Sequence, residues 1–193
     1  MIGVDLNLRL PDLFAAVFGI RDYEVLPENE SGRESYVGTP VLALITFEGG
    51  QYNVYEKGGG IKQEKYNDFE LPAATLVSIR RAKRIVTTPV ASGSGSVKEL
   101  FGFDDWQIDI NGFCIPDPNQ PQGFTSADAQ MAELQRWEKI ADAIRIKGGL
   151  PIHKEIHNMV IREFSTWQLK GSPEVIPFRI SAISDEPVEL LLT

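Results

Sequence analysis

The sequence predicts an α+β protein, mainly antiparallel β, with one long helix packed on the sheet. Three stretches predict it. Trp106, Ile108 and Ile110 alternate with Gln107, Asp109 and Asn111, and Ile176, Phe178, Ile180 and Ala182 alternate with Pro177, Arg179 and Ser181. That period of two is the mark of a half-buried strand. Between them, Leu134, Trp137, Ala141 and Ile144 recur at helical spacing after the cap Thr125-Ser126-Ala127-Asp128, and Gly148-Gly149 follows. A helix from about 126 to 147 is the expectation.

In chain order, Leu6, Leu8 and Leu10 suggest a short strand or arm, and Pro11 to Gly19 is punctuated as two helical turns. Residues 21–38 carry Pro27, Gly32 and Gly38 and are expected as a loop. The β-branched run Val41 to Phe47, the turn Gly49-Gly50 and the partner Gln51 to Tyr55 are expected as a hairpin, with a flexible connection from Gly58 to Glu70. Leu76 to Val90 is expected as one long β segment, with Ser92-Gly93-Ser94-Gly95-Ser96 as a loop or hairpin tip. Glu155 to Leu169, Ile176 to Ser184 and Val188 to Leu192 complete an expected β-meander. The domain reading is an N-terminal arm, short helix and hairpin over residues 1–70, then a β domain over 71–193.

A chain of 193 residues with 42% hydrophobic and 24% charged residues can bury a core. Its net charge of −8 argues against nucleic acid as the main partner, because phosphate binding needs clustered cations. No apolar run approaches the roughly 20 residues of a membrane span, and the acidic start lacks the basic region of a secretory signal, so manufacture and assembly in the cytoplasm are expected. The single cysteine, Cys114, sits in the apolar run Gly112 to Ile115 and is expected as a buried structural thiol.

Signals for chemistry are incomplete. His153-Lys154-Glu155-Ile156-His157 holds both histidines, but a zinc-hydrolase helix places the glutamate directly after the first histidine, and here it stands one position late. Gly93 to Lys98 would need glycine at 98 to match a dinucleotide fingerprint. Asp104, Asp105 and Asp109 could act as paired carboxylates only if a cleft gathered them, and a turn is the simpler reading. No catalytic residue, cofactor site or metal ligand is assigned, and no enzymatic activity is expected. A metal-dependent hydrolase using His153 or His157 remains a minor alternative.

Arg80-Arg81-Ala82-Lys83-Arg84 interrupts an apolar β segment in an acidic chain. Arg80 and Arg84 would face one way on a strand, Arg81 and Lys83 the other, so neither face fits an ordinary core. The segment is either a charge-guarded edge strand or a β-arm that meets acidic partner subunits, with nucleic-acid contact as the remainder.

From about Leu76 onward the chain resembles phage tail and baseplate proteins of the tail-tube and tube-initiator group. The resemblance rests on an ordered set of short motifs: Ile85-Val86-Thr87-Thr88-Pro89-Val90, Gly95-Ser96-Val97-Lys98-Glu99-Leu100, Asp104 to Gly112, the helix ending near Gly148-Gly149-Leu150-Pro151, the strand Val160 to Leu169, and Phe178 to Glu186. It implies a β-sandwich or half-barrel flanked by a helix, whose projecting hairpin joins those of neighbours in a sixfold ring around a channel. It implies a non-enzymatic structural subunit of a phage tail or contractile injection system. Its partners would be copies of itself in a homo-hexamer and neighbouring tube, hub or baseplate proteins, with nucleic acid only as passing cargo. The implied location is a virion tail or an injection-particle baseplate, and the implied interface is Arg80, Arg81, Lys83, Arg84, Val97, Lys98 and Glu99. The rival from another class is a monomeric binding or assembly-accessory module.

Overall fold

A computed structural model describes residues 10–20, 45–90, 94–170 and 174–185. Residues 6–9 of the expected strand or arm, the strand at Val188 to Leu192, the loop at 21–38 and the first half of the run Val41 to Phe47 lie outside them, while Leu10 is helical. In chain order the elements begin with α1 (Leu10–Phe18), β1 (Thr46–Phe47), β2 (Gly50–Tyr55), β3 (Ile61–Tyr66), β4 (Phe69–Glu70), β5 (Thr75–Arg80), β6 (Lys83–Pro89) and β7 (Ser96–Phe103). There follow β8 (Gln107–Cys114), α2 (Ala127–Trp137), β9 (Ile144–Lys147), α3 (Gly149–His153), β10 (Asn158–Thr166) and β11 (Ile176–Ser184).

A seven-stranded antiparallel sheet in the order β4-β1-β9-β10-β11-β8-β5 curls into a half-barrel. β8 lies near one edge, flanked by β11 and β5, with Ile108 opposite both Ala182 and Ile79 and Ile110 opposite both Ile180 and Val77. The alternation read from the sequence is thus a core pattern: Ile108, Ile110, Ile180 and Ala182 are fully buried on one face. Trp106 differs, because it precedes β8 and is only half-buried against that core. Phe113 points to the opposite face, where α1 covers it: the rings of Phe14 and Phe18 lie 4.9 and 5.1 Å from that of Phe113. The sheet therefore carries apolar packing on both faces.

The long helix is shorter than its periodicity suggested. Ser126 caps α2 as expected, its Oγ accepting from the Ala129 amide at 3.1 Å, but the helix stops at Trp137. Lys139 to Asp142 instead closes the edge of β2: the Tyr55 amide donates to the Lys139 carbonyl, the Ala141 amide to the Asn53 carbonyl, and the Asn53 amide to Asp142 Oδ2. Ile144 to Lys147 then enters the sheet as β9, between β1 and β10. Ile144 continues the helical spacing of Leu134, Trp137 and Ala141, but Ile144 and Ile146 alternate with Arg145 and Lys147 as a half-buried strand does, and pairing with β1 and β10 takes up that strand.

The N-terminal hairpin is also rearranged. β1 pairs with β4 and β9, while β2 pairs with β3, so the segment expected as a flexible connection supplies two strands. Lys62 to Lys65 lacks an apolar alternation because β3 is an edge, with only Tyr66 buried. Its pairing is secured from α2: Arg136 Nη2 lies 2.8 Å from Glu64 Oε1, and its guanidinium stacks 4.1 Å from the Tyr66 ring centroid. The Arg136 hydrogen bond holds the Glu64 carboxyl below its ordinary range, and burial pushes the Tyr66 phenol up. Cys114 is buried as expected, and desolvation pushes its thiol far above the usual range.

Candidate subunit interface

The expected long β segment is broken. β5 ends at Arg80 within the seven-stranded sheet, and after Arg81 and Ala82 the chain restarts as β6, which among the described residues pairs with β7 alone. The pairs Ile85–Leu100, Thr87–Lys98 and Pro89–Ser96 share one face of this ribbon, and Val86–Glu99 and Thr88–Val97 share the other. Every residue of both strands is exposed. Leu100 keeps 69% of its surface in solvent, Phe101 61% and Val97 54%, and Ile85 and Val86 about half. Apolar side chains thus stand exposed on both faces, and among the described residues no second layer covers either.

The basic cluster occupies the root of the ribbon, and its charges are engaged within the chain. Arg80 Nε donates to Gln107 Oε1 at 2.7 Å, and its guanidinium lies 3.7 Å from Asp109. Arg81 Nε donates to the Asp104 carbonyl at 2.8 Å, with its guanidinium carbon 4.9 Å from the Phe103 ring centroid and 5.1 Å from that of Trp106. Arg84 reaches Asp104 Oδ1 through Nε at 3.1 Å and Nη2 at 3.0 Å, and Lys83 lies over Phe103 at 5.8 Å. Asp104 and Asp109, weighed above as paired carboxylates, are the counter-charges of this root.

Val97, Lys98 and Glu99 lie on β7, distributed over both faces. The residues that sequence reasoning left out are Ile85, Val86, Leu100, Phe101 and Phe103. Their signal was present: the doublets Ile85-Val86 and Leu100-Phe101 put apolar groups on opposite faces of a strand.

The two histidines do not share a helix face. His153 ends α3, whereas His157 follows Glu155, at φ +60°, and immediately precedes β10. His157 lines an open cleft of about 490 Å³ with Glu48, Arg145 and Lys147, in which Lys147 Nζ lies 3.3 Å from Glu48 Oε1. Among the described residues, no three His, Cys, Asp or Glu side chains gather as a metal-ligand set. We expect the double substitution His153→Ala with His157→Ala to leave the melting temperature and assembly unchanged. Stoichiometric zinc in protein purified without chelator, lost in the double variant, would contradict this.

No helix among the described residues is long and apolar enough to cross a membrane. Residues 70–193 match the model of a family described as a domain of unknown function, DUF6046. No curated protein matches the chain. A solved structure described as the tail of an empty GTA particle, computed with helical refinement in C6 symmetry, is similar at 15% identity and a TM-score of 0.36, covering 77% of this chain and 94% of that one. A score at that level is too low for a shared fold to follow.

Proposed function

The chain belongs to the DUF6046 family, and we propose that it is a non-enzymatic structural subunit of a phage-type tail tube, baseplate or contractile injection system. It works by assembly, six copies forming a ring around a channel, with the β6–β7 ribbon as the arm that joins neighbours. It needs no cofactor. Its partners are further copies of itself and adjoining tube, hub or baseplate proteins, and its place is the virion tail or injection particle after assembly in the host cytoplasm.

The observation that carries this reading is the ribbon with apolar side chains exposed on both faces. An isolated two-stranded hairpin is marginal in water, and clustered exposed apolar groups mark surfaces that a partner covers. Among the described residues no further strand pairs with either edge of the ribbon, and strand addition from a neighbour would satisfy the backbone groups there. The ordered motifs from Ile85 to Glu186, which resemble tail and baseplate proteins, support the same reading.

The test is the substitution of Leu100 and Phe101 by Asp in one chain. Both side chains are largely exposed, so the monomer is expected to keep its melting temperature while ring formation is lost, measured by sedimentation and electron microscopy. A parent chain that stays monomeric at every concentration and is absent from purified particles would favour the accessory-module reading.

A further inference from the structure

We infer that Arg81 is a positioning residue, a bracket that fixes the direction in which the β6–β7 ribbon leaves the half-barrel. The inference rests on the reading of that ribbon as the assembly arm. It also reassigns the basic cluster, from charges offered to a partner to charges that hold the arm in place.

The junction needs such a device. Between β5 and β6 the chain passes through Arg81 and Ala82, and between β7 and β8 through Asp104, Asp105 and Trp106, so two short strands of backbone are the covalent root. Across that root one backbone hydrogen bond is made, from the Asp104 amide to the Ala82 carbonyl at 3.0 Å. The ladder above it is irregular: the register shifts between Lys83 and Ile85, and Gly102 has φ +108°, a conformation that other residues rarely adopt. A bulge of this kind bends the ribbon and increases its local twist.

Arg81 supplies the fixed angle. Its guanidinium lies over two rings, Phe103 on the ribbon and Trp106 beside the half-barrel, while its Nε–H donates to the Asp104 carbonyl between them. Trp106 is itself tied to the sheet, its amide donating to Ser184 Oγ at 3.0 Å and its carbonyl accepting from the Ser184 amide at 2.9 Å. One planar cation therefore couples the last aromatic of the arm to an aromatic anchored on β11. A guanidinium suits this role because it stacks and donates in its own plane at once, which an ammonium cannot do.

The experiment uses the full chain carrying spin labels at Thr88→Cys on the arm and Gln135→Cys on α2. The buried Cys114 stays unlabelled. With Arg81 present, pulsed dipolar spectroscopy of the monomer is expected to give one narrow distance distribution. Arg81→Ala is expected to broaden it, with the melting temperature unchanged. Arg81→Lys, which keeps the charge but loses the flat face, is expected to broaden it as well. Phe103→Ser, at an exposed position, removes the other half of the bracket and serves if Arg81→Ala is not recovered folded. If the arm then spends about a tenth of its time in the docking orientation, the apparent assembly affinity falls about tenfold. A parent-like distribution in Arg81→Ala or Arg81→Lys would overturn the inference. Because the distances are read on the monomer, failure of the parent to form rings would count against the proposed function and leave the bracket standing.

Discussion

Replacing Trp137 with alanine is expected to destabilise the fold by about 3–5 kcal/mol, the upper range for removing a buried side chain. Trp137 is fully buried at the end of α2, and three rings surround it: Phe47 of β1 at 5.2 Å, Tyr52 of β2 at 5.7 Å and Tyr66 of β3 at 4.9 Å. Its indole Nε1–H donates to Glu133 Oε1 at 3.1 Å, so the polar edge of the ring is satisfied as well. The substitution removes a side chain against which β1 of the half-barrel and the separate β2–β3 ribbon both pack. For a domain stable by roughly 5–15 kcal/mol, that is a large share. The check is the urea midpoint of Trp137→Ala beside Trp137→Phe, which keeps most of the ring contacts. An unchanged midpoint for the alanine variant would mean that β2, β3 and α2 do not meet there.

The second large effect is expected from adding a single carbon. A Cβ built on Gly112 would lie 2.6 Å from Phe178 Cζ, 2.8 Å from Phe178 Cε1 and 2.8 Å from the Ala74 carbonyl oxygen. Phe178 is the partner of Gly112 in the β11–β8 ladder, and its buried ring lies across the space where a side chain would stand. Gly112→Ala is therefore expected to cost about 1–3 kcal/mol, as overpacking of a filled core does. Combined with Phe178→Leu it should cost less than the sum of the two single changes, because the smaller side chain vacates part of the contested volume. The Ala74 carbonyl belongs to the backbone, so the relief stays partial. Gly58→Ala, with open space around its Cα, is the control and is expected to change little. Additive costs for the Gly112 and Phe178 variants would show that the ring does not fill that space.

Where a single strand face determines burial, the sequence was legible. Ile108 and Ile110 alternate with polar residues, and so do Phe178, Ile180 and Ala182; each set is buried because the period of two leaves no other way to hide it. The Ser126 cap was equally local, since an N-cap depends on a few neighbouring residues. Cys114 followed from its apolar surroundings.

The remainder depended on partners remote in sequence. Ile144 extends the helical spacing of Leu134, Trp137 and Ala141 while, with Ile146, it also alternates with Arg145 and Lys147 as a strand residue does, and the pairing with Thr46-Phe47 and Asn158-Met159 gives the strand its partners. Lys62 to Lys65 shows no periodic signal at all, because its pairing is fixed from one side by β2 and from Arg136, 71 residues from Lys65, by a hydrogen bond to that residue's carbonyl. The candidate interface divides in the same way. That the run from Arg80 to Arg84 could not enter a core was visible in its charges, and that Asp104 and Asp109 would take up those charges within the same chain was not. Charge and hydrophobic period are local properties of a chain, whereas the exposure of Leu100 and Phe101 is set by which layers the fold has left to cover them, and only the assembled tertiary structure decides that.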